Sequence, residues 1–277
     1  AYEFYLNRNP GIDLAADRLE IGVCAQHNNG GIDVDLWWRS SIAGLFPVGE
    51  AAGAHGVARP GGAALNSAQV GATRAAQWIA AREQGAARAD EGWQELAGDA
   101  LQKARSLLEA ACGREESSGV LIDDVLMEST RAMSDNAGLV RSRQGLEELA
   151  RNVAEWRRRV VDECVVDPTS RRSVDRLFLV RDILDVQAVY VAAMLDHLDH
   201  GVGSRGSVLY TDPDGDLPVS WWNDGADLDV EEIFRHRLDS KAHHGVTQRV
   251  SVDAVGEAIH AHWGPVRPIP TEDEFLE

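Results

Sequence analysis

Lysine is almost missing from this chain of 277 residues: of 27 basic side chains, only Lys103 and Lys241 are lysine. The bases are outnumbered by 45 acids, which leaves a formal net charge of −18. That balance argues against a surface built to neutralise a phosphate backbone, so nucleic acid is not an expected partner. Cysteine is sparse as well. Cys24, Cys112 and Cys164 stand far apart and form no CxxC pair, so the chain shows no zinc or iron–sulfur framework of its own. An odd, low cysteine count suits a reducing compartment, and a cytoplasmic location is expected. No apolar run approaches the ~20 residues of a membrane span, and no secretory leader is visible. No GxGxxG fingerprint follows a first strand, and no GK[ST] marks a P-loop. A starting Met is also absent. "AYEFYLNRNPGIDL" reads like the middle of something, and the chain is expected to be a fragment of a longer protein.

What is present is ample apolar content, 44% of residues, which is enough for a core. Three regions differ in pattern. Residues 1–84 are rich in glycine and short apolar runs. In them "LEIGVCA" (19–25) and "GLFPVG" (44–49) read as strands bounded by turns. From Gly61 the pattern becomes helical, with small residues and no charge until Arg74, which predicts a helix that buries its N-terminal half. Residues 88–200 read as helices throughout. In one stretch Leu146, Leu149, Val153, Trp156 and Val160 recur at steps of three and four, on one face opposite charge. In another, Leu177, Leu184, Val191 and Leu198 are spaced by sevens and thickened by Phe178, Val180, Ile183, Val189 and Met194. That pattern predicts burial on more than one side. Asn136, Ala137 and Gly138 mark a helix stop. Four such stretches with short links predict an antiparallel helical bundle. Residues 211–277 form a mixed, irregular tail. "GVGSRGSVLYTDPDGDLP" (201–218) reads as loop, "PVSWWND" (218–224) as strand and "SVDAVGEAIHAHWG" (251–264) as a short helix. The fold class expected is mixed α/β, mainly α.

The chemistry concentrates in "VGEAAGAHGVARPGGAAL" (48–65). A helix N-terminus exposes unpaired N–H groups and the positive end of the helix dipole, and so attracts phosphate, carboxylate or carbonyl edges. Gly61 and Gly62 permit close approach there. Arg59 adds a planar cation suited to a carboxylate. Glu50 can accept hydrogen bonds from a polyol, and His55 can donate or accept near neutral pH. The same spacing also fits a tight strand–helix connection packed by alanines. Other clusters read more blandly. The Trp37–Trp38 and Trp221–Trp222 pairs read as packing, the histidines near His243 and His244 as packed or solvated, and Arg157, Arg158 and Arg159 as a solvated helix face.

"GLFPVGEAAGAHGVARPGGAAL" resembles the second flavin-contacting segment of the fumarate reductase/succinate dehydrogenase flavoprotein family, which includes L-aspartate oxidase. Upstream, "LEIGVCAQHNNGGIDV" is similar to that family's segment in which a histidine precedes two glycines. "MSDNAGLVRSRQGLEELARNVAEWRRRV" and "HGVGSRGSVLYTD" resemble parts of its C-terminal helical domain, in the same order. The resemblance implies FAD as cofactor, contacted by Gly30 and Gly31 beneath the ring and by Glu50 at the ribityl or ribose. Backbone N–H groups of Gly61, Gly62, Ala63, Ala64 and Leu65 would meet the ring's pyrimidine edge. It implies that His27 and Arg59 are catalytic residues binding a substrate carboxylate. It also implies hydride transfer between flavin and a carboxylate-bearing substrate and, as a possible partner, an electron-transfer subunit. Residues 1–84 would then be the C-terminal half of an FAD-binding domain and 85–210 the helical domain. The adenosine-binding half and the capping domain would lie elsewhere, so this chain alone is expected to be inactive. Pro60 stands where the family has leucine, and Ala63 and Ala64 replace its Asn-Ser pair, which leaves the substrate open. The alternative is a helical interaction module that docks an electron-transfer subunit.

Overall fold

The computed structural model describes residues 2–18, 30–53, 62–82, 92–115, 119–206, 208–219, 229–239, 241–253 and 258–266. The described chain is mainly helical with few, short strands. It divides into two compact units, Ala1–Gln84 and Gly85–Glu277.

The first unit holds a short helix α1 (Tyr2–Arg8), a 3₁₀ turn (Gly49–Ala51) and helix α2 (Ala63–Arg82). The strand expected over 19–25 lies outside the described residues. The one expected over 44–49 does not form. Gly44 and Gly49 both take left-handed backbone, at φ +79° and +62°, and Pro47 has no N–H to donate to a ladder. The run instead closes a turn, with Leu45 N–H donating to the Ile42 carbonyl at 3.1 Å. Helix α2 also departs from expectation. Its first two turns are half-buried or exposed, and in the whole helix only Gly71 and Ala75 are buried, because its contacts run along a single narrow stripe.

The second unit is built on α3 (Trp93–Cys112), α4 (Ile122–Ala137), α5 (Arg143–Asp162) and α6 (Arg171–Asp199). Helix α4 stops at Gly138, where the chain leaves helical backbone. Ser142 caps α5 by accepting from Gly145 N–H, and Ser170 caps α6 by accepting from Ser173 N–H. The α5 stripe Leu146, Leu149, Val153, Trp156 and Val160 is buried as its period requires. It meets Leu177, Val180, Leu184 and Val191 of α6 in one core with Val125, Cys164 and Val166. α5 packs on α6, α4 on both, and α3 on α5. The burial of α6 on several sides is only partly realised: Leu179, Val186 and Tyr190 remain exposed on one face.

Short parallel pairings stitch the helix ends. β1 (Val120–Leu121) pairs with β3 (Cys164–Val165), and β2 (Val140–Arg141) with β4 (Leu209–Asp216). β4 occupies part of the stretch expected as loop. Pro213 and Gly215 are tolerated because its partners are brief: two residues of β2, and bridges from Thr211 and Asp216 to His236. The helix expected at 251–264 is likewise replaced. β5 (Val246–Val252) and β6 (Ile259–Pro265) form an antiparallel pair over Val246 to Val252 against Pro265 to Ile259. Alternation decides it. Val246, Gln248 and Val250 turn inward while Thr247 and Arg249 turn out, and Ile259, Ala261 and Trp263 repeat the period of two.

Candidate functional site

The glycine segments of the first unit lie backbone on backbone. Ile32 N–H donates to the Ala51 carbonyl at 2.9 Å. A Cβ on Gly31 would stand 2.6 Å from the Ala52 carbonyl carbon, and one on Gly53 would stand 2.6 Å from Gly30 Cα. Real side chains do not fit at either place, so glycine there is dictated by mutual approach of the two segments. Gly53 also takes φ +59°, a left-handed conformation. Gly30 is different: nothing lies within 4 Å of where its Cβ would be. Gly30 and Gly31 are both exposed, which gives bare backbone facing solvent next to the exposed side chains of Ile32 and Glu50.

Glu50 sits in the 3₁₀ turn, and its carbonyl accepts from Gly53 N–H at 3.0 Å. Gly62 adopts φ +83° and leads into α2, whose first turn contains Ala63, Ala64 and Leu65. The N–H groups of that turn precede the first intrahelical bond and point along the helix dipole. Ala63 and Ala64 are half-buried and Leu65 is exposed. The structure thus joins Gly30 and Gly31 to the loop that carries Glu50. His27, Arg59 and Gly61 lie outside the described residues, as do Cys24, His55 and the Trp221–Trp222 pair.

Two features of this unit were not legible as site elements. Gly53 is one, although it is what seats Gly30. The other is the turn of residues 35–39. Asp35 closes that turn as a side-chain acceptor for Trp37 N–H at 2.8 Å, Arg39 N–H at 3.0 Å and Arg39 Nε at 2.6 Å. Burial pushes the Asp35 carboxyl up, but the hydrogen bonds from Arg39 and Trp37 outweigh it and hold it below the usual carboxylate range. Arg74 of α2 lies over the Trp37 ring at 4.1 Å, and Arg39 over Trp78 at 3.9 Å. Contacts of this type contribute about 0.5–2 kcal/mol each, more when desolvated. Trp37 packs here, as its sequence context implied.

The second unit has its own polar cluster. Asp196 accepts from Trp263 Nε1 at 2.8 Å and from Gln248 Nε2 at 2.6 Å, which seats the β5–β6 pair on α6. His197 stacks on Tyr210 with ring centres 4.6 Å apart. Burial pushes its pKa down, while its bond to the Gly203 carbonyl opposes that shift. Arg205 lies 3.6 Å from the nearly buried carboxylate of Asp239, inside this unit. Among the described residues no cluster of His, Cys, Asp and Glu could hold a metal ion, and no helix is long and apolar enough to cross a membrane.

No family model matches the chain. One curated relative, a subunit of the CoM/CoB fumarate reductase of Methanothermobacter marburgensis, is 39% identical over 66 residues, which is 24% of this chain and 12% of that protein. Among solved structures, a variant of E. coli quinol fumarate reductase FrdA shares the fold at TM-score 0.63 and 19% identity, over 87% of this chain and 37% of its own. The Mycobacterium smegmatis Sdh1 complex in the apo form matches at TM-score 0.64 and 21% identity, over 98% of this chain and 41% of that one. The chain therefore spans well under half the length of the proteins it matches. The glycine segments resemble the fumarate reductase/succinate dehydrogenase flavoprotein family, and the proteins similar to this chain in both comparisons are fumarate reductase subunits and the Sdh1 complex.

Proposed function

We propose that residues 1–84 form the ring-edge half of an FAD site in an oxidoreductase, and that residues 85–210 are the accompanying helical domain, followed by a mixed tail. The observation that carries this reading is the seating of Gly30 and Gly31 against residues 51–53, which puts the two family-like glycine segments into one bare, exposed backbone surface beside Glu50. That surface fits a flat ring system. Gly30 and Gly31 present no side chain to lift the ring, and the start of α2 supplies N–H donors at its edge.

In this reading bound FAD supplies hydride transfer. The chain's residues do the rest. Gly30 and Gly31 support the ring face. Glu50 accepts from hydroxyls of the ribityl or ribose. N–H groups from Gly61 to Leu65 meet the electron-rich pyrimidine edge, where the helix dipole favours growing negative charge. His27 and Arg59 hold a carboxylate of the substrate. A cytoplasmic location and inactivity of this chain alone belong to the same proposal.

The reading is tested by titrating riboflavin and FAD into the full chain while backbone amide resonances are followed. Shifts confined to Gly30 to Ile32, Glu50, Gly53 and Gly61 to Leu65 are expected, and Glu50→Gln should weaken FAD more than lumiflavin, which lacks the polyol. Shifts confined to residues 85–277, or none, would overturn it. A second reading is an interaction module for an electron-transfer subunit. It is favoured by exposed Leu179, Val186 and Tyr190, which are spaced by seven and four on one face of α6. Val186→Asp should abolish partner capture and leave flavin binding unchanged if that face docks the subunit.

A further inference from the structure

One stripe of α2 meets the turn of residues 35–39 and the 3₁₀ turn that begins at Gly49, each contact by a different means. Gly71 takes the indole of Trp38 so closely that a Cβ there would stand 2.5 Å from Trp38 Nε1. Ala68 approaches Gly49, 3.2 Å from where that residue's Cβ would be. Trp78 lies 5.9 Å from Trp37 between ring centres. Arg74 stacks on Trp37 at 4.1 Å and donates from Nε to the Leu36 carbonyl at 2.7 Å. The turn is closed on itself, with Asp35 N–H donating to the Arg39 carbonyl at 3.0 Å. Its two legs are the glycine segments: residues 30–34 enter it and 40–51 leave it.

We propose that Arg74 is a positioning residue for the glycine surface. Its guanidinium locks the 35–39 turn onto α2 and so fixes the register in which Gly30 and Gly31 lie against residues 51–53. The chemistry of the site calls for arginine. Nη2 of Arg74 and Nε1 of Trp78 are buried with no hydrogen-bond partner among the described residues, so the side chain is placed by its flat face and its one directed Nε–H. Lysine carries the same charge with neither feature. The lock rests on geometry alone. Its purpose, holding a flavin edge, rests on the functional reading above.

The test uses amide hydrogen exchange and FAD titration on the full chain. In Arg74→Lys the Ile32 amide should exchange about tenfold faster, while α2 amides and those of residues 85–277 stay unchanged. Trp37→Phe, which keeps an aromatic face under Arg74, should retain Ile32 protection. An unchanged Ile32 amide, or an equal rise along the whole of α2, would overturn the lock. Where wild-type chain binds FAD, Arg74→Lys should bind it more weakly in step with the loss of protection. Equal binding despite an exposed Ile32 amide would overturn the positioning role. If wild-type chain takes up no flavin, the functional reading fails while the exchange result still decides the lock.

Discussion

Helices α5 and α2 have the same length, 20 residues, and opposite modes of support. α5 buries Leu146, Leu149, Val153, Trp156 and Val160, each nearly or fully removed from water. α2 buries only Gly71 and Ala75. The second unit is thus held by interlocking aliphatic side chains, the kind of packing that stabilises in proportion to apolar area removed from water. The first is held by backbones brought together where side chains are missing, with guanidinium groups laid on indoles at the margins. The lesson is that a large apolar fraction of the chain went into the helices, while the glycine unit gave up core to keep bare backbone exposed.

The sharpest way to break the comparison is a cavity in the second unit. Leu149→Ala removes a side chain with no exposure. It should cost about 2–5 kcal/mol, read from urea unfolding by far-ultraviolet circular dichroism, with hydrogen exchange of the Ile32 amide unchanged. Next is Gly53→Ala. Left-handed backbone at φ +59° and overlap with Gly30 combine there, for about 2–3 kcal/mol of local destabilisation. The loss should appear in indole fluorescence and leave the helical transition in place.

A smaller effect is expected from pH. The folded-state pKa of His197 is depressed, chiefly by burial, so the folded unit resists a proton that the unfolded chain accepts. Its contribution is therefore present above the ordinary histidine range and is lost as pH falls from about 6.5 toward the depressed value. Urea midpoints should drop between pH 7.5 and pH 5, and His197→Gln should flatten that drop. The smallest effect on stability, though a clear one on chemistry, concerns Cys164. Burial pushes its thiol up to about 11, with the nearby Arg159 and Arg114 opposing. Iodoacetamide at pH 8 should leave it unmodified in folded protein and label it in urea, as read by peptide mapping.

Much of the helical unit was legible because period reports burial directly. The α5 stripe and the Gly138 stop read the same in sequence and in structure. The tail was misread for a related reason. "SVDAVGEAIHAHWG" has alanines at helix-like spacing, yet alternation over Ile259, Ala261 and Trp263 matches the pairing with β5. Loop chemistry in "TDPDGD" did not prevent strand backbone, since β4 needs only brief partners at β2 and His236. In the glycine unit, the family resemblance marked Gly30, Gly31, Glu50 and Gly62 to Leu65 as candidates. It gave no sign of Gly53 or Arg74, whose roles depend on residues distant in sequence.

By itself the sequence determined where the four long helices of the second unit form and that the first would present glycine in place of side chains, because both follow from local residue type and period. The tertiary structure alone decided that Gly31 must face residues 51–53, that Trp38 needs a glycine in α2, and that Arg74 reaches Leu36. Those are contacts between segments whose register no local pattern encodes. They arise only when the chain folds back and steric exclusion selects the one residue without a Cβ.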